Sequence, residues 1–145
     1  MKRLIPILVL VAAALVAGCA GVPRREGALL DEYLPFAGPP VSEFHFFRPI
    51  DGWAVVGRYQ LVLWTTPWEA YLITVNSPCE QLWWTTRLEI TSTANTVSHF
   101  ESVLLKDHER CPILEIRPLD LKALKEHRQA LRAGAPQPAA APPPQ

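Results

Sequence analysis

Short runs in which apolar and polar residues alternate constrain the fold of this chain more than any other feature. In residues 87–91, Leu88 and Ile90 point to one face of a strand and their neighbours point to the other. Residues 71–75 repeat the pattern. Such runs recur at the spacing typical of antiparallel strands, roughly ten residues, with turn signals between them. We therefore predict a mainly β fold, an antiparallel meander that forms a small sandwich or barrel.

Helices are predicted at two places. A C-terminal helix over residues 121–132 is expected because Asp120 can cap its start and Gly134 can end it. A shorter helix is predicted to run to about Trp84, since residues 77–80 read Ser-Pro-Cys-Glu and resemble a capping box with Pro at the first helical position.

The last predicted strand begins near residue 113. Leu114 and Ile116 are expected to point inward, which leaves Glu115 and Arg117 on the solvent face. Charged residues on such a face commonly pair across strands, so we expect ion pairs with the charged residues of the 87–91 strand.

Proline and glycine set the bounds of the folded part. They recur through residues 19–41, which are therefore predicted to be a flexible tether. Residues 133–145 are rich in Pro and Ala and carry no charge, so a disordered tail is expected there. The β domain with its C-terminal helix is assigned to residues 42–132.

The beginning of the chain has the features of an export signal. Two basic residues precede an apolar run over residues 4–17, which is shorter than the roughly 20 apolar residues that a bilayer-spanning helix needs. Val16-Ala17-Gly18-Cys19 resembles the lipobox of bacterial lipoproteins. That resemblance implies removal of a signal peptide, residues 1–18, and attachment of acyl chains such as palmitate at Cys19.

The lipobox resemblance also implies a location. Several acyl chains on one residue form a stable membrane anchor, whereas one chain binds only marginally. Ala20 stands where lipoproteins kept in the inner membrane often carry Asp, so we expect the periplasmic face of the outer membrane. The chain after residue 18 has 12 basic and 14 acidic residues, a net charge of −2 with no basic stripe. Nucleic acid is therefore not expected as a partner.

The remaining cysteines form an even pair once Cys19 is assigned to the lipid. Disulfides form and persist in the oxidising periplasm, which favours a structural bond between Cys79 and Cys111. A metal-binding or catalytic role for these thiols is the alternative. Neither cysteine lies in a C-x-x-C or C-x-x-H arrangement, and no metal site is predicted.

The five tryptophans are the most conspicuous candidates for binding. Trp53 and Trp64 lie in predicted strands and are assigned to the core. Trp68 lies in a predicted turn, and the adjacent Trp83 and Trp84 cannot both face inward in one strand. We interpret Trp68, Trp83 and Trp84 as a possible surface for an envelope protein or a glycan, with plain packing as the alternative.

Catalysis has little support in the sequence. Histidines at four positions accompany aspartates and serines, and a Ser-His-Asp triad is spatial, so sequence spacing alone does not exclude it. No G-x-S-x-G elbow is present. We predict no catalytic residue, no cofactor and no enzymatic activity. The histidines are His45, His99, His108 and His127.

The stretch from about residue 53 to 125 resembles a family of small Gram-negative lipoproteins, domain of unknown function 6491. The residues that carry the resemblance are Leu61-Val62-Leu63-Trp64-Thr65, Ala70-Tyr71-Leu72, Pro78-Cys79, Ile90-Thr91-Ser92, Phe100-Glu101-Ser102-Val103 and the run Cys111-Pro112-Ile113-Leu114-Glu115-Ile116-Arg117-Pro118-Leu119-Asp120. The resemblance supports the pairing of Cys79 with Cys111 and implies no catalytic residue. Trp83-Trp84 departs from the family pattern.

Together these features predict a lipid-anchored cell-envelope protein with a non-catalytic accessory or protein-interaction role. A small-ligand or glycan-binding β-barrel is the alternative, and a hydrolase is a more distant one. An internal cavity would favour a ligand, whereas a flat aromatic surface would favour a protein partner.

Overall fold

The computed structural model describes residues 28–47 and 49–134. As predicted, it is mainly antiparallel β with a C-terminal helix. The strands are β1 (Glu43–His45), β2 (Gly52–Val55), β3 (Gln60–Thr66), β4 (Glu69–Val75), β5 (Leu88–Ile90), β6 (Thr96–Ser98), β7 (Ser102–Leu105) and β8 (Arg110–Leu119). The helices are α1 (Ala28–Tyr33) and α2 (Leu121–Gly134), with short 3₁₀ helices at Leu34–Phe36, Glu80–Trp84 and Lys106–His108.

Six strands form one sheet in the order β2-β3-β4-β8-β7-β5, and β1 pairs with β6 in a separate two-stranded sheet. Every pairing is antiparallel. The predicted meander runs from β2 to β4, and the sheet then continues through β8, which comes much later in the chain. The large sheet curls into a half-barrel, so β2 and β5 are its two edge strands.

The sheet is buried on both faces. Alternation sends Leu63 and Ile73 to the concave face, where the β1–β6 pair and the 3₁₀ helix Glu80–Trp84 pack against it. Val62 and Leu72 point to the opposite face and pack against residues of α1 and α2. The structure therefore has three layers, with the helices covering the convex side of the sheet.

The prediction of a flexible tether over residues 19–41 is wrong for its described part. Tyr33 is buried at the end of α1, and Arg128 of α2 donates hydrogen bonds to Tyr33 Oη at 3.1 Å and to Glu32 Oε1 at 2.6 Å. Val41 N donates to the carbonyl oxygen of Ile116 in β8 at 2.9 Å. Residues 28–41 thus belong to the fold, because α1 and the 3₁₀ helix after it cover the convex face of the sheet and Ala37 and Val41 bridge to β8.

The predicted signal peptide, Cys19 and nearly all of the predicted tail lie outside the described residues. The tail assignment began at residue 133, whereas α2 continues to Gly134.

The inward assignment of Leu114 is wrong, and that of Ile116 is confirmed. Thr74 pairs with Glu115, but Val75 pairs with Ile113, so one residue of β8 is skipped. A bulge of this kind shifts the side-chain alternation by one residue. Ile113 and Ile116 are therefore both buried, while Leu114 is 60% exposed.

The expected ion pairs between β8 and β5 are also wrong, because β7 lies between these strands. The charges instead pair locally. Arg117 Nε lies 2.9 Å from Glu115 Oε1 within β8, and Nη2 of Arg87, the residue before β5, lies 3.0 Å from Glu89 Oε1. Residues two apart on a strand share a face, which makes these pairs local.

The two predicted helix starts have different outcomes. Asp120 caps α2, as its Oδ1 accepts a hydrogen bond from Ala123 N at 2.9 Å. The segment ending at Trp84 is helical but of the 3₁₀ type. It begins after Cys79 without a side-chain cap, so the capping box is wrong.

Cys79 and Cys111 form a disulfide, with 5.7 Å between their Cα atoms. Both residues are fully buried in the concave core. The bond ties the segment before the 3₁₀ helix to the start of β8, and it confirms the predicted pairing.

Replacing both cysteines, Cys79→Ala with Cys111→Ala, should lower the free energy of unfolding by about 3–4 kcal/mol, because the bond closes a loop of more than 30 residues. Urea denaturation of the double variant and of disulfide-bonded wild type would measure this difference. Wild type with the bond reduced and alkylated would be measured alongside them. A double variant within about 1 kcal/mol of wild type would show that the bond contributes little to stability.

Candidate functional site

Trp68 lies at the tip of the turn between β3 and β4 and is 84% exposed. Pro67 precedes it, and Trp68 N donates a hydrogen bond to Thr66 Oγ1 at 3.2 Å. These contacts hold the turn backbone while its indole stays in solvent. A large apolar side chain at a braced turn is available to a partner.

Phe47, the residue that follows Phe46 after β1, is a second exposed aromatic residue and is 93% exposed. Phe47 and Trp68 both line one surface depression of about 490 Å³, which we call the aromatic groove. It is lined by His45, Phe46, Phe47, Thr65, Thr66, Pro67, Trp68 and Glu69.

The polar wall of the aromatic groove is held in place by hydrogen bonds. The Glu69 carboxylate accepts from Thr65 Oγ1 at 2.6 Å and from Tyr71 Oη at 2.9 Å. Tyr71 also stacks on Phe44, with ring centroids 4.1 Å apart. Burial, followed by the hydrogen bond and the negative charge of Glu69, raises the pKa of Tyr71 to about 12. The groove therefore offers a fixed carboxylate next to two exposed aromatic rings.

Trp83 and Trp84 form a different site. They lie in the 3₁₀ helix Glu80–Trp84, where Trp84 is 70% exposed and Trp83 is half-buried. With Arg58 and Glu80 they line a cleft of about 210 Å³.

The predicted single surface is therefore corrected to two sites. Arg58 belongs to the β2–β3 turn and Trp68 to the β3–β4 turn, so they lie at opposite ends of β3. A strand of that length spans roughly 20 Å, at about 3.3 Å per residue.

The tryptophans assigned to the core are half-buried. Trp53 packs against the concave cluster. Trp64 packs on the helix side, where its ring meets Tyr33 edge-on with centroids 6.5 Å apart.

Phe47 was missed by sequence reasoning, although a signal for it exists. Phe44 and Phe46 are two residues apart and share the inward face of an extended segment. Phe47 comes directly after Phe46, so it must point the other way. An apolar doublet at the end of a strand therefore indicates one exposed aromatic residue.

Three of the four histidines contact different residues. His45 Nδ1 is 2.7 Å from Thr96 Oγ1, the tilted rings of His99 and Phe100 have centroids 3.9 Å apart, and those of His127 and Phe36 have centroids 5.5 Å apart. Within residues 28–47 and 49–134, no histidine is hydrogen-bonded to a serine.

Among the residues that the structure describes, one group of metal-ligating residue types comes together, Cys79, Glu109 and Cys111. Both sulfurs are in the disulfide and offer no thiolate. Glu109 Oε2 accepts a hydrogen bond from Gln81 N at 3.3 Å, so this carboxylate already has a structural partner.

No helix in the part of the chain that the structure describes combines the length and apolarity needed to cross a bilayer.

The sequence matches the model of one known protein family. The model of DUF6491, a family of unknown function, matches residues 1–135. The chain belongs to DUF6491. A comparison of this DUF6491 chain with curated proteins and with solved structures finds no match. The function must therefore be argued from its own surfaces.

Replacing Trp68 should barely affect stability in this DUF6491 chain, because its indole lies in solvent. Trp68→Ala is expected to change the free energy of unfolding by about 0.5 kcal/mol or less. Trp64→Ala is the matched control and should cost clearly more, because half-buried Trp64 packs against Tyr33 on the helix side of the sheet. The upper limit is the cost of truncating a fully buried Trp, about 3–5 kcal/mol. Chemical denaturation of both variants measures the difference. Equal losses would place Trp68 in the packed core.

Proposed function

We propose that this chain is a lipid-anchored protein of the cell envelope with a non-catalytic, protein-interaction role. The aromatic groove carries the proposal, because Phe47 and Trp68 both line it and are 93% and 84% exposed. Exposed apolar groups gathered in one place usually mark an interaction site. Tryptophan is also enriched among the residues that dominate protein–protein binding energy.

The polar lining favours a protein partner. Glu69 is held by two hydroxyl groups, so it is an oriented acceptor for a donor on the partner without a large loss of side-chain entropy. Aromatic anchors beside a few fixed polar groups are the usual composition of the centre and rim of an interface.

The anchor is supported by different observations. Val16-Ala17-Gly18-Cys19 has the lipobox pattern, and the buried Cys79–Cys111 bond suits a chain that folds in an oxidising compartment. Ala20 after the lipidated residue favours the outer membrane and its periplasmic face. The membrane is then a partner through the N-terminal lipid.

A second candidate function is the binding of a small ligand or a glycan at the Trp83–Trp84 cleft. Indole rings beside the Arg58 guanidinium could stack on a sugar or an aromatic ring. At about 210 Å³ the cleft is smaller than the roughly 300–1,000 Å³ of ordinary ligand pockets, which ranks this function second.

The anchor is tested by metabolic labelling. Cells that express the wild-type chain with radiolabelled palmitate should yield a labelled protein in the membrane fraction, and Cys19→Ser should abolish the label. Cys79→Ser is the control for the loss of a cysteine as such and should retain it. Equal labelling of wild type and Cys19→Ser would overturn the anchor.

The interaction role is tested by quantitative capture of envelope proteins. Phe47→Ser with Trp68→Ser should reduce the captured partner by roughly tenfold or more, because anchor residues typically contribute 2 kcal/mol or above. Phe100→Ser is the matched control, since Phe100 is 85% exposed but lies outside the aromatic groove. Unchanged capture by the double variant, or an equal loss in the control, would contradict a role for this groove.

A further inference from the structure

The half-barrel leaves a cleft between its two open edges. The edge cleft has a volume of about 570 Å³ and receives residues from both edge strands, β2 and β5. Its apolar lining consists of Phe46, Ile50, Trp53, Leu63, Leu88 and Ile90. All but Leu63 are only half-buried although they pack against the concave core. The edge cleft is thus an apolar surface that the fold does not close.

The backbone of β5 also presents hydrogen-bonding groups to the edge cleft. Thr91 N donates to the carbonyl oxygen of Ser102 in β7 at 2.9 Å. Because bonding direction alternates along an antiparallel strand, Glu89 faces β7 as Thr91 does, whereas the amides and carbonyls of Leu88 and Ile90 face outward. Among the described residues, β7 is the only strand that pairs with β5. Exposed edge groups next to an apolar cleft are what an added strand requires.

The charges that line the edge cleft, and its position, restrict the kind of segment that can occupy it. The ionisable residues that line the edge cleft in the described structure are Asp51 and Glu89, and Glu89 already pairs with Arg87 at 3.0 Å. The Asp51 carboxylate is exposed, so the edge cleft favours an occupant that brings a basic group to it. Phe46 lines both the edge cleft and the aromatic groove, which makes the two depressions neighbours.

We propose that the edge cleft accepts an extended segment of a partner protein, which adds as a strand along β5 and carries alternating apolar and basic residues. The apolar side chains enter the cleft, and the backbone pairs with Leu88 and Ile90. Alternate residues of the added strand point to opposite faces, so the basic side chain that meets exposed Asp51 lies at an end of the paired stretch. This inference deepens the proposed interaction role and rests on it only for the claim that the segment belongs to a partner protein.

The test uses the purified full-length chain and two synthetic seven-residue peptides, one alternating Val with Lys and the other Val with Glu. The Val–Lys peptide should bind more tightly. Bound peptide should slow hydrogen exchange at the Leu88 and Ile90 amides by at least roughly tenfold, as expected when an open amide becomes hydrogen-bonded. The Thr91 amide is the internal control, because it is already bonded to Ser102.

Matched variants separate the parts of the inference. Asp51→Asn should weaken binding of the Val–Lys peptide by roughly two- to fivefold, the range of an exposed ion pair. Two further Val–Lys peptides are N-methylated at alternate residues, and the one methylated on the β5-facing amides should lose binding while the other retains it. The Phe47→Ser and Trp68→Ser double variant should bind the peptide normally, which separates this test from that of the aromatic groove.

Three outcomes would overturn the inference. In the first, neither peptide binds. In the second, a peptide binds without slowing hydrogen exchange at the Leu88 and Ile90 amides, which would mean that side chains alone hold the peptide. In the third, the same amides become protected at higher protein concentration without peptide, and the occupant would then be a second copy of this chain.

Discussion

The antiparallel pairing of β4 with β8 is the constraint on which the rest of the structure depends. It joins the meander β2-β3-β4 to the strands β8-β7-β5, and without it the chain has two small sheets that cannot cover a core. These strands are far apart in sequence, so their pairing carries a loop-closure cost. The Cys79–Cys111 bond lies next to this junction and lowers the cost by restricting the unfolded chain.

The same pairing decides where the exposed surfaces lie. A sheet centred on β4 and β8 has its edges at β2 and β5, and its curl turns those edges toward one cleft. The aromatic groove forms where the β3–β4 turn meets the segment after β1. Both surfaces come from turns and edges, where the fold has no need to bury the side chains. The buried layers hold them in position.

The candidate site could be predicted in part from the sequence. The position of Trp68 followed from local turn chemistry, because Pro67-Trp68 needs no distant contact to form a turn. The separation of Trp68 from Trp83 and Trp84 did not follow, since it depends on the 3₁₀ helix Glu80–Trp84 lying beside Arg58, at the end of β3 opposite Trp68. The edge cleft was also inaccessible to sequence reasoning. It is made by two strands that are not neighbours in the sheet, and no periodicity within either strand records that arrangement.

The sequence by itself determined the features that depend on residues close together in the chain and on the even number of remaining cysteines. Alternation produced the strands, Asp120 capped the start of α2, and an even pair of cysteines produced the disulfide. Only the tertiary structure decided which faces are buried. Leu114 became exposed because the β4–β8 register skips one residue, and Arg117 kept a local partner because β7 separates β8 from β5. Residues 28–41 became part of the fold because their first part packs on the convex face of the sheet and their last part bridges to β8. Each of these outcomes depends on contacts between distant segments, whereas alternation and capping act over a few residues.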